Sequence, residues 1–471
     1  TTSQQQQTVA VASIGGVAPA GAERLALGVI WAYAMPRIAF AVMGAVMGVY
    51  FMKYATDVLL IAPAAIGVIM AAARIWDGVS DPLVGYLSDR TRSPFGRRRV
   101  GMYAAALPLG LSIVMLGSPP QTLSGVALIV WMSLAILAYE TATTAYYIPH
   151  GAIGVELTPN HHERTRLFGY AHLIGALGTL LGLAALHFMD VAEDKRRYAE
   201  GLSLFAGLFC AVVIIVSTRM LPERADYQGR GGDKILSSLL DVLKNPHARL
   251  LLVVYAIESF GSASVMMLAP YILDYVWIGM AGKLVLVMIA FTVPLYAFTP
   301  VWMWLARHFE KKHLWLSSLC LSAVSFLGFW FVTGNGPMVW IILVCIGISG
   351  SCGAVVEPSI KADVIDYDEY RTGQRKEGTY YAIWNLVRKG AGSFTALATG
   401  LVLQLTGFEP NVEQNESAQT GLRTLVSLLP AACYVVGAIL FTRFTLLAAE
   451  HQRIRDALES RQATPDSATP A

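Results

Sequence analysis

Apolar runs of about twenty residues recur along the whole chain. About twenty helical residues cross a bilayer's hydrocarbon core, whereas a membrane barrel shows only weak alternation over roughly ten residues. The runs fall at roughly 25–50, 61–88, 98–117, 123–148, 165–188, 200–220, 248–276, 282–307, 313–333, 337–360, 378–406 and 419–447. They predict an all-α integral membrane protein with twelve transmembrane helices and the lipid bilayer as its solvent. Composition agrees, with 55% hydrophobic and 14% charged residues in 471, against about 25% charged in soluble domains. The net charge of +3 is uninformative as a total, its distribution matters more, and no nucleic-acid partner is expected. Cys210, Cys320, Cys345, Cys352 and Cys433 lie in apolar runs without ligand spacing and read as small buried residues.

The longest hydrophilic interval divides the runs six and six. The expected organisation is a disordered tail (1–22), a first six-helix bundle (23–221), a cytoplasmic linker (222–247), a second bundle (248–450) and a tail (451–471). No basic region followed by a short apolar run opens the chain, so no cleavable leader is expected. Lys and Arg crowd alternate loops: Arg90, Arg92 and Arg97 to Arg99; Arg164 and Arg166; Arg307, Lys311 and Lys312; Arg371, Arg375 and Lys376. Positive loops stay inside, which predicts cytoplasmic termini. The exception, Lys195-Arg196-Arg197, is partly balanced by Asp190, Glu193 and Asp194. Basic loops at matching places in the two halves fit two related bundles with a solute cavity between them at mid-membrane.

Charge inside the runs carries the chemistry. Arg74-Ile75-Trp76-Asp77-Gly78-Val79-Ser80-Asp81-Pro82 lies within the second run, where each charge costs roughly 2.5 to 3.5 kcal/mol on insertion scales. Asp77 and Asp81, four apart, share a helix face. Paired carboxylates suit a hard cation, and their mutual repulsion also suits a proton. The alternatives are a neutral pair between Asp77 and Arg74, and capping by Asp81 of backbone groups freed at Pro82. Glu140, Thr144 and Tyr147 recur at i, i+4 and i+7 and should line the cavity, although Glu140 could instead pair with a basic residue on a neighbouring helix. Glu258 and Glu357 are further acids; Arg37, His172, Arg388 and Lys389 are the bases. Arg388 and Lys389 sit about 100° apart on a helix, so Lys389 is expected to face the cavity and Arg388 to snorkel or pack. Trp31, Trp277 and Trp384 could stack on a sugar or serve as anchors and core, and Tyr380, Tyr381 and Asn385 could bond hydroxyls.

Two motifs carry a likeness. Gly85-Tyr86-Leu87-Ser88-Asp89-Arg90, followed by Gly96-Arg97-Arg98-Arg99, resembles the loop signature of the major facilitator superfamily, with its second Gly about four residues late. That longer form, with Arg74 to Pro82 before it, is similar to the glycoside–pentoside–hexuronide:cation symporters, the melibiose permease-like family. Ala362-Asp363-Val364-Ile365-Asp366-Tyr367-Asp368-Glu369-Tyr370, then Gly373, Arg375, Glu377-Gly378 and Lys389, is a second match.

The resemblance implies a major facilitator fold of two pseudo-symmetric six-helix bundles in a bacterial inner membrane, working as a monomer. It implies cation-coupled import of a glycoside or similar polar solute by alternating access. Sodium, or a proton in its place, is the coupling ion, with no other cofactor. It puts the cation, Na+ at Asp77 and Asp81, with Ser80 and Thr144 beside them, and Lys389 near the sugar. Asp89, Arg90, Arg97, Asp363 and Asp366 would form a conformational latch. The galactose positions of melibiose permease are not matched: Tyr147, Gly151, His172 and Ala354 stand in for its Asp, Trp, Arg and Trp. The solute set is therefore read from the residues themselves, as Arg37, Glu140, Tyr147, His172, Glu258, Glu357, Tyr381, Trp384, Asn385 and Lys389. Animal lysolipid carriers share the signatures, which leaves an amphipathic cargo as the alternative. No nucleophile–base set, metal-ligand cluster or phosphate loop suggests an enzyme.

Overall fold

The computed structural model describes residues 24–91, 93–158, 161–223, 242–373 and 377–463, without the side chains at 89, 155, 161–162, 164–165, 377–378, 381, 459 and 461–463. The expected tail 1–22, most of the linker 222–247, and the side chains of Asp89 and Tyr381 therefore lie outside the described residues.

The chain is helical almost throughout. In chain order the long helices are α1 (Leu27–Val58), α2 (Pro63–Arg90), α3 (Arg97–Gly117), α4 (Gly125–Glu156), α5 (His161–Val191) and α6 (Lys195–Met220). They continue with α7 (Pro246–Tyr275), α8 (Leu284–His308), α9 (Lys311–Phe331), α10 (Pro337–Thr372), α11 (Glu377–Leu405) and α12 (Glu416–Phe441). A polar helix, α13 (Ala448–Ala463), follows. Ten of them are long and apolar enough to cross a membrane. The other two long helices, α2 and α11, fill the second and eleventh places; Arg74, Asp77 and Asp81, or Arg388 and Lys389, lower their hydropathy. Among the described residues the only β pairing is an isolated bridge between Ile278 and Gly334.

Local chemistry sets the helix ends. Asn245 caps α7, its Oδ1 accepting from the backbone N–H groups of His247 (3.0 Å) and Ala248 (3.3 Å), with Pro246 in the first turn where no N–H is missed. Gly373 ends α10 at φ 70°, a left-handed geometry that costs glycine nothing. Before α3, Gly96 turns at φ 100°, and Glu223 accepts from the N–H groups of Arg98 (2.9 Å) and Arg99 (3.4 Å), setting a carboxylate on the positive end of the helix. Prolines sit inside α2 (Pro82), α4 (Pro149), α7 (Pro270) and α10 (Pro358). Membrane helices tolerate them because neighbouring groups re-satisfy the freed carbonyls.

The chain divides into two units. Unit 1 is Thr1–Phe51 with Trp76–Gly232; unit 2 is Met52–Ile75 with Asp233–Ala471. In unit 1, α3 packs on α4 and α6, and α1 packs on α5. In unit 2, α9 packs on α10 and α12, and α7 packs on α11 and α12. The pairings α3–α4, α3–α6 and α1–α5 thus recur as α9–α10, α9–α12 and α7–α11, a repeat of one six-helix plan. Small residues let these helices approach. A Cβ on Gly110 of α3 would lie 2.7 Å from the Gly207 carbonyl of α6, and one on Gly178 of α5 would lie 2.7 Å from the Ile38 carbonyl of α1.

Candidate cation and solute sites

In unit 1, α2 and α4 bring two of the expected cation residues, Asp81 and Thr144, together. Asp77, Ser80 and Thr144 are 1%, 2% and 3% exposed, and Asp81 is half-buried. The Thr144 hydroxyl donates to Asp81 Oδ1 at 2.8 Å. Three residues earlier on α4, Thr141 Oγ1 accepts from Trp76 Nε1 at 2.8 Å. These two rungs fix the register of α2 on α4 and set the Asp81 carboxylate against a hydroxyl of α4. The Trp76–Thr141 rung escaped the sequence reading; its signal is a Thr pair at i and i+3 on a polar face.

The same face of α4 continues into an aromatic column. Glu140 is buried, whereas Tyr147 is 45% exposed and meets Phe40 of α1 edge-on at 4.9 Å. Phe40 stacks on Tyr146 (5.0 Å), Tyr146 on His150 (5.0 Å) and His150 on Tyr33 (4.3 Å). The His150 ring nitrogen Nε2 lies 3.0 Å from the Tyr33 carbonyl. Tyr33, Arg37 and Phe40 form one stripe of α1, so Arg37 belongs to the face that carries the column. Sequence reasoning missed Tyr33, Phe40, Tyr146 and His150, although their i, i+4 and i+7 spacing was visible. His172 lies on an exposed face of α5 beside Leu173, apart from these residues.

Unit 2 holds a polar chamber of about 460 Å³ lined by Glu258, Glu357, Arg388, Tyr255 and Tyr434 among others. The two acids of the sequence reading therefore share one space. Glu357 pairs with Lys361 one turn on, and the Lys361 ammonium rests over the Tyr255 ring (4.1 Å) and the Trp384 ring (4.9 Å). Glu258 Oε1 is covered and has no hydrogen-bond partner. Arg388, expected to snorkel, lines the chamber, and Lys389 is not among its lining residues. Trp384 is 3% exposed in the unit's core, so its ring faces Lys361 and Tyr380. The face α11 presents is set by its packing on α7, where Thr395 Oγ1 donates to the Phe260 carbonyl (3.1 Å), and two adjacent positions cannot both follow it. Asn385 is exposed.

The basic-loop residues hold helices within their own unit. Glu156, at the end of α4, accepts from Arg97 (2.8 Å) and Arg98 (3.2 Å) at the start of α3. Asp363, near the end of α10, accepts from Lys311 (2.6 Å) at the start of α9, and Asp366 meets His451 (3.0 Å) and Arg455 (3.7 Å) of α13. These are the same ion pair in the two repeats. Arg90 rests over the Tyr86 ring at 4.2 Å. A second network, absent from the sequence reading, lies in unit 2. There Lys53 is buried and pairs with Asp274, Tyr275 donates to Asp57 (2.6 Å), and Asn411 N donates to the Tyr275 hydroxyl (3.1 Å).

Helix pairings that recur in two units, with ten helices among the described residues long and apolar enough to cross a membrane, fit a transporter of the major facilitator type. The profile of the MFS/sugar transport protein family matches residues 32–447, and the chain belongs to that family. It is 25% identical to an uncharacterized symporter of Synechocystis (94% of this chain, 98% of the relative). It is 24% identical to a putative sulfoquinovose importer of Escherichia coli (87% and 88%). It is 21% identical to the sodium-dependent lysophosphatidylcholine symporter 1 of Gallus gallus (95% and 92%). Among solved structures, a D-xylose–proton symporter shares the fold, at TM-score 0.67 and 14% identity over 89% of this chain and 98% of that one.

Proposed function

We propose that this protein is a sodium-coupled symporter that imports a sugar-like polar solute by alternating access. The observation that carries the reading is the Thr144–Asp81 hydrogen bond, which sets a hydroxyl of α4 against a carboxylate of α2. A hydroxyl that donates to a carboxylate keeps its lone pairs for a cation. Two carboxylates with two buried hydroxyls make a hard, all-oxygen donor set of low charge, which fits a monovalent ion. The sodium-dependent relative and the sugar-importing relative support the two halves of the proposal.

On the solute side the candidates are Arg37, Glu140 and Tyr147 in unit 1 and Glu258, Glu357 and Arg388 in unit 2. Coupling requires the ion and solute each to change the other's affinity by the same factor, typically about 1 to 3 kcal/mol. Uptake into proteoliposomes, with a panel of glycosides, uronides and lysolipids under separate sodium and proton gradients, tests the reading. Asp81→Asn is expected to abolish the ion's effect on solute binding. If that variant concentrates solute with unchanged ion dependence, the assignment fails. A lysolipid cargo is the second reading, favoured by the lysophosphatidylcholine relative.

A further inference from the structure

The polar chamber of unit 2 has an apolar annex. A slot of about 210 Å³ adjoins it, and both are lined by Ser262, Ser322, Ser349, Gly350 and Tyr434. At that shared wall Ser322 donates to Ser349 (2.8 Å), Ser349 to the Ile346 carbonyl (2.9 Å) and Ser262 to the Ser259 carbonyl (3.3 Å). Beyond it the lining is hydrocarbon, with Met266, Ala269, Leu273, Phe326 and Leu343. Apolar cavities of this kind stay dry, and one of about 150 Å³ holds benzene.

The slot is also elongated. On α7 it is lined by Ser262, Met266, Ala269 and Leu273, a single stripe, and Trp277 lies just past the helix end. The eleven residue steps from Ser262 to Leu273 rise about 16 Å along the helix. At the Trp277 end the indole packs on Phe329 (5.1 Å between ring centroids), and both rings are buried. One end therefore shares its wall with the chamber that holds Glu258, Glu357 and Arg388, and the two aromatic rings line the other.

We propose that this slot is a length-selective subsite for an unbranched apolar tail on the cargo, whose polar head occupies the chamber. The sugar-like solute of the proposed function is then one whose polar head carries an alkyl tail of limited length. The proposal rests on the reading of the protein as a solute symporter. It differs from an open lipid groove, which would accept chains of any length.

The test is calorimetric binding of β-D-glucosides and β-D-glucuronides with alkyl chains from methyl to dodecyl to the full-length protein in nanodiscs. Affinity is expected to rise about fourfold per methylene while the chain is being buried, then level off where Trp277 and Phe329 close the slot. Ala269→Phe narrows the slot midway and should bring the plateau to a shorter chain. Trp277→Ala opens the far end and should move the plateau to a longer one. Both should leave the methyl compound's affinity unchanged, and each variant checks the other should one fail to fold. A plateau that stays put in both variants, or affinity that climbs without limit as in partitioning into lipid, overturns the subsite. Binding of the methyl compound with no gain from the chain overturns it too, while leaving the symporter reading in place. If no member binds, the sugar reading falls and takes the subsite with it.

Discussion

Thr144→Val is the sharpest test of the cation site, because it keeps the β-branched shape and removes only the hydroxyl. Thr144 is 3% exposed, and its hydroxyl donates to Asp81 at 2.8 Å. A hydrogen bond to a charged group contributes about 1.5 to 3 kcal/mol. If that hydroxyl also serves the ion, removing it lowers sodium affinity by about tenfold to a hundredfold, at 1.4 kcal/mol per decade. The structure supplies its own control. Thr141 lies on the same helix and bonds the neutral Trp76 indole at 2.8 Å, so Thr141→Val should disturb the α2–α4 contact without touching a carboxylate. Thr144→Ser restores the hydroxyl and should restore affinity. The assay is a sodium titration of solute uptake in proteoliposomes, with Trp fluorescence of the purified protein as a binding readout. Equal sodium dependence in Thr144→Val and Thr141→Val would refute the reasoning, as would a Thr144→Ser variant no better than Val.

Three further outcomes are expected. Glu156→Gln leaves Arg97 and Arg98 without their shared carboxylate and should cost about 3 kcal/mol, the low end for a broken buried pair, read as a lower midpoint of thermal unfolding in detergent. A Cβ at Gly207 would lie 2.5 Å from the Gly110 carbonyl, so Gly207→Ala should destabilise by about 1 to 3 kcal/mol from overpacking, whereas Gly201→Ala, with nothing within 4 Å, should stabilise by about 0.5 to 1 kcal/mol; the opposite signs are read from the same melting assay. The Glu163 carboxyl is held below its usual range, first by the Leu25 N–H (2.8 Å) and then by Arg166 (3.0 Å). Its stabilising contribution is therefore present above the ordinary carboxylate pKa and lost as pH falls through the lowered one, and Glu163→Gln should flatten that acid limb of stability against pH.

Some of the site was legible before any tertiary contact. Asp77, Asp81 and Thr144 announce themselves because a carboxylate inside an apolar run demands a reason, and the helical repeat alone puts two of them on one face. Glu258 and Glu357 were legible as acids inside apolar runs for the same cause. Their meeting in one chamber was not, because 99 residues separate them and only the packing of α7 against α10 and α11 brings them together. Lys361 was overlooked because one turn after Glu357 it reads as an ordinary local ion pair; its place over Tyr255 and Trp384 is a tertiary fact. Lys53 and Asp274 lie 221 residues apart and are joined by the same kind of distant packing.

By itself, the sequence determined the class of the molecule: long apolar runs can only be membrane helices, because an unbonded peptide group in hydrocarbon costs several kcal/mol. It also determined which side chains must find partners there, since charge at that depth cannot be left alone. Tertiary structure alone decided which partner each one found. The choice of Arg388 over Lys389 at the chamber, the burial of Trp384 and the annex along α7 each depend on how a helix is rotated against its neighbours. A membrane helix hydrophobic on every side carries no amphipathic stripe to announce that rotation. It is settled by the close approach of small residues such as Gly110 and Gly207, a contact between surfaces that no single run contains.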